Sequence, residues 1–146
     1  KIVKALTEIK FNKKKDTLKL GNIYSRRDWG HARDYVNMMY KILIHKKADD
    51  FVISSEKQYS IKEFINLVCK KLNMPIKWQG NGLKEKALYN NKVIIVILKE
   101  FFRPLDVAYL LGDSTKAKNE LKWKPNKNIN PLINDMVNFE INNLNK

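Results

Sequence analysis

The stretch Leu20-Gly21-Asn22-Ile23-Tyr24-Ser25-Arg26-Arg27-Asp28-Trp29-Gly30-His31-Ala32-Arg33-Asp34-Tyr35 decides how this chain is read. It holds three of the four arginines, one of the three tryptophans and one of the two histidines. Elsewhere the positive charge is almost entirely lysine. Lysine supplies charge, but only arginine offers a planar fork that grips phosphate or carboxylate oxygens two at a time. The fourth arginine, Arg103, stands in Phe101-Phe102-Arg103-Pro104. One reading brings these two places together as an anion site. The other leaves Arg26 and Arg27 on a solvated loop and Arg33 on a helix face. Spacing alone does not choose between them.

On the N-terminal side of this stretch, Ile2, Val3, Leu6 and Ile9 recur at helical spacing, so Lys1 to about Asn12 reads as a helix. Thr17 to Leu20 alternates and stops at Gly21-Asn22, as a short strand meeting a turn does. The arginine stretch then reads as loop. Ala32, Tyr35, Val36, Met39, Ile42 and Leu43 give a second helix ending near His45, capped by Asp34 or Asp28. Phe51-Val52-Ile53 reads as a buried strand. Ser60-Ile61-Lys62-Glu63 is a capping box opening a third helix, which stops at Asn73 and Pro75. Ile76 to Trp78 is a candidate strand, and Leu83 to Asn91 reads as a loop. Val93 to Leu98 is β-branched and strand-like, broken at Phe102-Arg103-Pro104. Val107, Leu110 and Leu111 read as one helical turn closed by Gly112. Ser114 caps a helix from Thr115 to Leu121. Asn130-Pro131 reads as a cap with proline at the first helical position of the last helix. Helices alternating with short strands predict an α/β layered domain.

The chain has 146 residues, which suits one domain with a core of its own. No apolar run approaches the roughly 20 residues of a membrane span. Lys1-Ile2-Val3-Lys4 is neither an initiator methionine nor a signal peptide, and the first helix lacks an N-cap. The expectation is that the chain opens within something longer. A single cysteine, Cys69, excludes an internal disulfide and a cysteine metal cluster. It reads as a buried, inert thiol, and the cytoplasm is the expected compartment. The net charge of +14 invites nucleic acid as a partner. The lysines are spread along the chain instead of forming a stripe. Lys13-Lys14-Lys15 is the only tight basic run, with no aromatic interleaved for base stacking. Neither nucleic acid nor membrane is therefore expected as a partner.

No self-contained active site is legible. A glycine-rich phosphate loop is lacking, no serine sits in a nucleophile elbow, and His31 and His45 are too far apart for a helical metal pair. His31 reads as a structural hydrogen-bonding group or as one that orients a ligand. The three tryptophans read as core or interface anchors more than as stacking platforms. What survives is Arg27 and Arg103 with one carboxylate, Asp106. A nucleoside diphosphate needs cationic forks for its phosphates and an acceptor for its ribose hydroxyls. A plain Arg103–Asp106 surface ion pair is the competing reading.

Leu20-Gly21-Asn22, Arg27 to Ala32, Asp34-Tyr35-Val36, Phe102-Arg103-Pro104, Leu110 to Asp113, Thr115-Lys116-Ala117 and Trp123-Lys124-Pro125 follow one another in this order. The pattern resembles the C-terminal part of the GDP-mannose 4,6-dehydratase family, among the extended short-chain dehydrogenase/reductases, over essentially the whole chain. The resemblance implies the substrate-binding C-terminal part of an extended Rossmann-type enzyme, with the N-terminal dinucleotide-binding half missing. It implies NADP as cofactor, held mainly by that half, and a homo-oligomer. The implied reaction oxidises mannose C4 by hydride transfer to NADP, eliminates water across C5 and C6, and returns the hydride to C6. By the same resemblance Arg27 and Arg103 bind the GDP diphosphate, Asp106 stands where a glutamate usually holds the ribose, and Lys1, Gly21 and Asn22 join the substrate site. The chain departs from the family at Leu98-Lys99-Glu100-Phe101, where an Asp-Pro-Arg-Tyr-like stretch is usual. No catalytic residue of the family falls on this sequence. Other nucleotide-sugar enzymes of the same superfamily, and a non-catalytic binding remnant, are the alternatives.

Overall fold

The computed structural model describes residues 1–13, 16–103 and 107–144. Lys14 and Lys15 of the basic run, Pro104, and Asp106 of the expected site lie outside the described residues.

The first helix, α1 (Ile2–Lys10), buries Val3, Ala5, Leu6 and Thr7. It packs against α3 (Ile61–Lys71) and α5 (Ile129–Leu144), which also pack on each other. The main sheet has the order β1 (Leu18–Leu20), β6 (Lys92–Ile97), β5 (Lys86–Tyr89), β4 (Lys77–Gln79). β1 runs parallel to β6, with Leu18 beside Ile95 and Leu20 beside Ile97. The β6–β5 and β5–β4 pairs are antiparallel. Leu6, Leu18, Phe64, Ile65, Val68, Ile95, Ile133 and Val137 lie in the core these layers share. Removing this apolar surface from water is what chiefly holds the layers together.

A two-stranded ribbon pairs β2 (Arg26–Asp28) with β3 (Gln58–Ser60), Arg27 opposite Tyr59. A second, smaller cluster joins Met38 of α2 (Ala32–Leu43) to Ala117 and Leu121 of α4 (Thr115–Leu121) and to Trp123.

The α/β layering, the five α-helices among the described residues and the strands at Leu18–Leu20, Lys77–Gln79 and Lys92–Ile97 agree with the sequence reading. The Ser60 capping box is present in full: Glu63 N donates to Ser60 Oγ at 3.1 Å and Ser60 N donates to Glu63 at 2.6 Å. Six local expectations are corrected.

The arginine stretch is not all loop, because Arg26–Asp28 forms β2. A three-residue strand of charged residues is too short to show alternation, and its partner strand ends at Ser60, the cap of α3. Phe51-Val52-Ile53 is not a strand. Phe51 and Ile53 turn instead toward the Met38 cluster while Val52 is exposed. Leu83–Asn91 is not a loop but a 3-10 turn followed by β5. The signal was Asn90-Asn91, both with positive φ (49° and 61°), a hairpin turn between β5 and β6. Val107–Gly112 forms no helix, and Ala108 O accepts from Arg26 N at 3.0 Å, so this segment runs beside β2. α2 is capped by His31, whose Nδ1 accepts from Arg33 N at 3.1 Å, and neither Asp34 nor Asp28 caps it. α5 begins at Ile129 with Asn128 Oδ1 accepting from Asn130 N at 3.0 Å. Pro131 thus sits third in the helix, where its lost N–H would have had no intrahelical partner.

A candidate substrate site where two strands end

β1 and β6 are parallel neighbours, so their carboxyl ends lie side by side, the edge of an open α/β sheet where ligands bind. One arm, Gly21 to Arg27, leaves β1. The other leaves β6 through a 3-10 turn, Lys99–Phe101, to Arg103.

The arms are stitched together where they leave the strands. Leu98 N donates to Leu20 O at 2.8 Å. One residue on, a Cβ built on Gly21 would stand 2.1 Å from the Phe101 carbonyl oxygen, so only glycine allows this approach. Farther out, Arg27 Nη1 donates to Val107 O at 2.7 Å and to Arg26 O at 2.7 Å. The Arg27 guanidinium is therefore oriented by the Arg26 and Val107 carbonyls, which limits the rotamer freedom a ligand would have to remove. Arg103 is exposed on the second arm. Lys1 joins from α1, its ammonium 5.0 Å from the centre of the Phe101 ring, within cation–π range. An open groove of about 790 Å³ lies beside this contact, lined by Lys1, Lys4, Lys19 and Phe101, with Glu8 and Asp16 opposing their charge. Asn22 spends its Oδ1 on Tyr24 N at 3.0 Å, closing the turn after β1. Of the expected residues, Lys1, Gly21, Asn22 and Arg103 thus gather around the strand ends, and Arg27 bridges to the segment beyond.

Most of the Arg27–Tyr35 motif is architecture. Asp28 accepts from Ser54 Oγ and Ser55 N, each at 2.6 Å, and from Ser55 Oγ. Trp29 stacks on Phe64 with centroids 4.0 Å apart and planes within 8°. A Cβ on Gly30 would strike the Tyr35 ring. His31 caps α2 and its Nε2 lies 3.0 Å from Asp135 Oδ2 on α5, so its role is a structural hydrogen bond. Buried Asp34 holds Asn126 N and Lys127 N at 3.1 and 3.0 Å, and its carbonyl accepts from Trp123 Nε1. Arg26 is occupied by Gln58 O and Glu63. Trp29 and Trp123 are core anchors, as expected.

A polar cluster outside the expected set braces the first arm. Glu85, 2% exposed, accepts from Tyr24 OH and Lys62 Nζ, both at 2.6 Å. Burial pushes the Glu85 carboxyl up, but these bonds outweigh it and hold the group below the ordinary carboxylate range. The same contacts raise Lys62 and Tyr24. Burial pushes the Cys69 thiol up to about 12, an inert thiol as the sequence predicted. Among the described residues no group of three metal-ligating side chains exists, and no helix is long and apolar enough to cross a membrane.

The backbone trace matches parts of longer solved structures. It covers 97% of the chain on RMD from Pseudomonas aeruginosa, a complex with NADPH (TM-score 0.75, 16% identity, 41% of that chain). It covers 98% on dTDP-glucose 4,6-dehydratase from Bacillus anthracis, a complex with NAD (TM-score 0.72, 16% identity, 39% of that chain). These likenesses establish a backbone fold shared with the matched part of each.

The family model for GDP-mannose 4,6 dehydratase matches residues 1–136, and the chain belongs to that family. It is 35% identical to GDP-mannose 4,6 dehydratase 2 of Caenorhabditis elegans over 97% of this chain. It is 39% identical to the Dictyostelium discoideum enzyme over 86%, and 36% identical to the human enzyme over 84%. The chain spans 37%, 36% and 33% of those relatives' lengths.

Proposed function

We propose that this chain holds the GDP portion of GDP-mannose for a 4,6-dehydratase reaction. The observation that carries the reading is Arg27, on the arm that leaves β1, donating to Val107 O in the segment beyond the second arm, which itself ends at exposed Arg103. Arg27 and Arg103 take the diphosphate, with Lys1 adding charge at the edge, and Gly21 lets the arms close. Asp106, outside the described residues, takes the ribose hydroxyls. Anchoring the nucleotide fixes the sugar remote from it, and that binding energy then serves the chemical step.

NADP is the cofactor of this reading. Among the described residues no strand ends in a glycine-rich turn opening a helix, so these residues do not fit its pyrophosphate, and no hydride step is assigned to them. The cofactor is held by a dinucleotide-binding portion that the chain works beside. An apolar face supports this: Val36, Met39, Tyr40 and Leu43 repeat along α2 and are all more than 60% exposed. The working enzyme is a cytoplasmic homo-oligomer, and this chain alone binds substrate without turning it over.

Calorimetric titration with GDP tests the reading. Arg27→Lys and Arg103→Lys each weaken binding at least about tenfold, the cost of a lost bidentate contact. Equal affinity in parent and both variants contradicts it.

A further inference from the structure

A buried carboxylate is costly unless every lone pair is used, so its partners show what it is for. Glu85 immediately precedes β5, and the register puts it at the sheet edge where the proposed site lies. Lys86 stands opposite Val96, and Val96 stands beside Lys19 of β1. One of its oxygens takes Lys62 and the other takes Tyr24. Tyr24 is 55% exposed, so core packing does not hold it in place. Its hydroxyl bond to Glu85 does, helped by the Lys62 ammonium 5.3 Å from its ring centre. Tyr24 sits midway between Gly21 and Arg27. The start of α3 grips the same turn from the other side, with Lys62 N donating to Ile23 O at 2.8 Å and Ile61 N to Ser25 O at 3.2 Å. Lys62 in turn lies 4.9 Å from the Trp78 ring centre on β4.

We infer that Glu85 and Tyr24 are positioning residues for the ligand site: the buried carboxylate holds the Tyr24 hydroxyl and so fixes the arm that presents Arg27. This rests on the reading that Arg27 binds GDP. Neither residue touches the ligand; both act through the arm.

The experiment is a calorimetric double-mutant cycle with GDP on the full chain, with thermal unfolding recorded for each variant. Tyr24→Phe removes only the hydroxyl and weakens GDP binding on the order of fivefold. In an Arg27→Lys background the same change costs almost nothing, because the residue it positions is already compromised. Glu85→Gln keeps an acceptor for Tyr24 and binds GDP more tightly than Glu85→Ala. Should Glu85→Ala fail to fold, the Tyr24 cycle still decides. Tyr24→Phe with a lowered unfolding temperature but parental GDP affinity overturns the inference. So does an equal loss in both backgrounds. If instead the parent does not bind GDP, or Arg27→Lys binds as the parent does, the ligand reading itself falls and this role falls with it.

Discussion

Gly21 and Phe101 meet backbone to backbone, with room for a hydrogen but none for a methyl group. The two arms of the site therefore close only because residue 21 is glycine. Gly21→Ala forces them apart and costs about 1–3 kcal/mol, in the manner of overpacking a tight contact. A urea unfolding series reads this as a lower midpoint with an unchanged slope. A parental midpoint would mean the arms do not need this contact.

Stability and ligand binding separate within the arginine stretch. Asp28→Ala leaves the Ser54 and Ser55 donors without their acceptor and destabilises by about 1–3 kcal/mol. Arg33→Ala, on an exposed position of α2, changes stability by less than about 0.5 kcal/mol. Denaturant midpoints of the two variants check the contrast.

Glu85 and Lys62 give stability a pH signature. The Glu85 pKa is depressed in the folded chain, so its contribution is present above the unfolded value near about 4.3. It is lost as pH falls through the lower folded value. The Lys62 pKa is raised, so its contribution is present below about 10.4 and lost as pH rises through the higher folded value. Glu85→Gln flattens the acid limb and Lys62→Met the alkaline limb of the unfolding midpoint against pH. An unchanged acid limb in Glu85→Gln would mean the pair does not stabilise the fold.

Cys69 lies at 1% exposure in the core, with its thiol held protonated. A thiol reagent at about pH 8 labels it only in denaturant. Rapid labelling of the folded chain would contradict its placement in α3.

The exposed stripe on α2 makes the isolated chain self-associate as its concentration rises. Met39→Lys with Leu43→Lys reduces this in sedimentation velocity while leaving the unfolding midpoint near the parent's. Both side chains point away from the Met38–Leu121 cluster, so the core does not register the change.

The long amphipathic helices and the β6 run are legible in the sequence because periodicity and branching act locally. The ribbon of Arg26–Asp28 with Gln58–Ser60 is not, since three charged residues carry no strand signal of their own. Asn90-Asn91 does mark the β5–β6 hairpin, but lysine-rich flanks hide the alternation. At the site, the arginines stand out by chemistry. That Arg27 reaches Val107 and Gly21 abuts Phe101 depends on the parallel pairing of β1 and β6, strands more than 70 residues apart. Glu85 is illegible for the same reason, as one acidic residue among lysines until folding buries it. The Arg27–Tyr35 motif reads as a ligand signature, yet Asp28, Trp29, His31 and Asp34 all hold the scaffold.

Whether the ends of β1 and β6 form one nucleotide site is decided by backbone amide chemical-shift mapping with GDP. Saturable shifts are expected at Gly21, Asn22 and Arg27 on one arm and at Phe101 to Arg103 on the other, following one binding curve. Shifts confined to lysine-rich surfaces elsewhere, or two unrelated binding curves for the two arms, would contradict a single site.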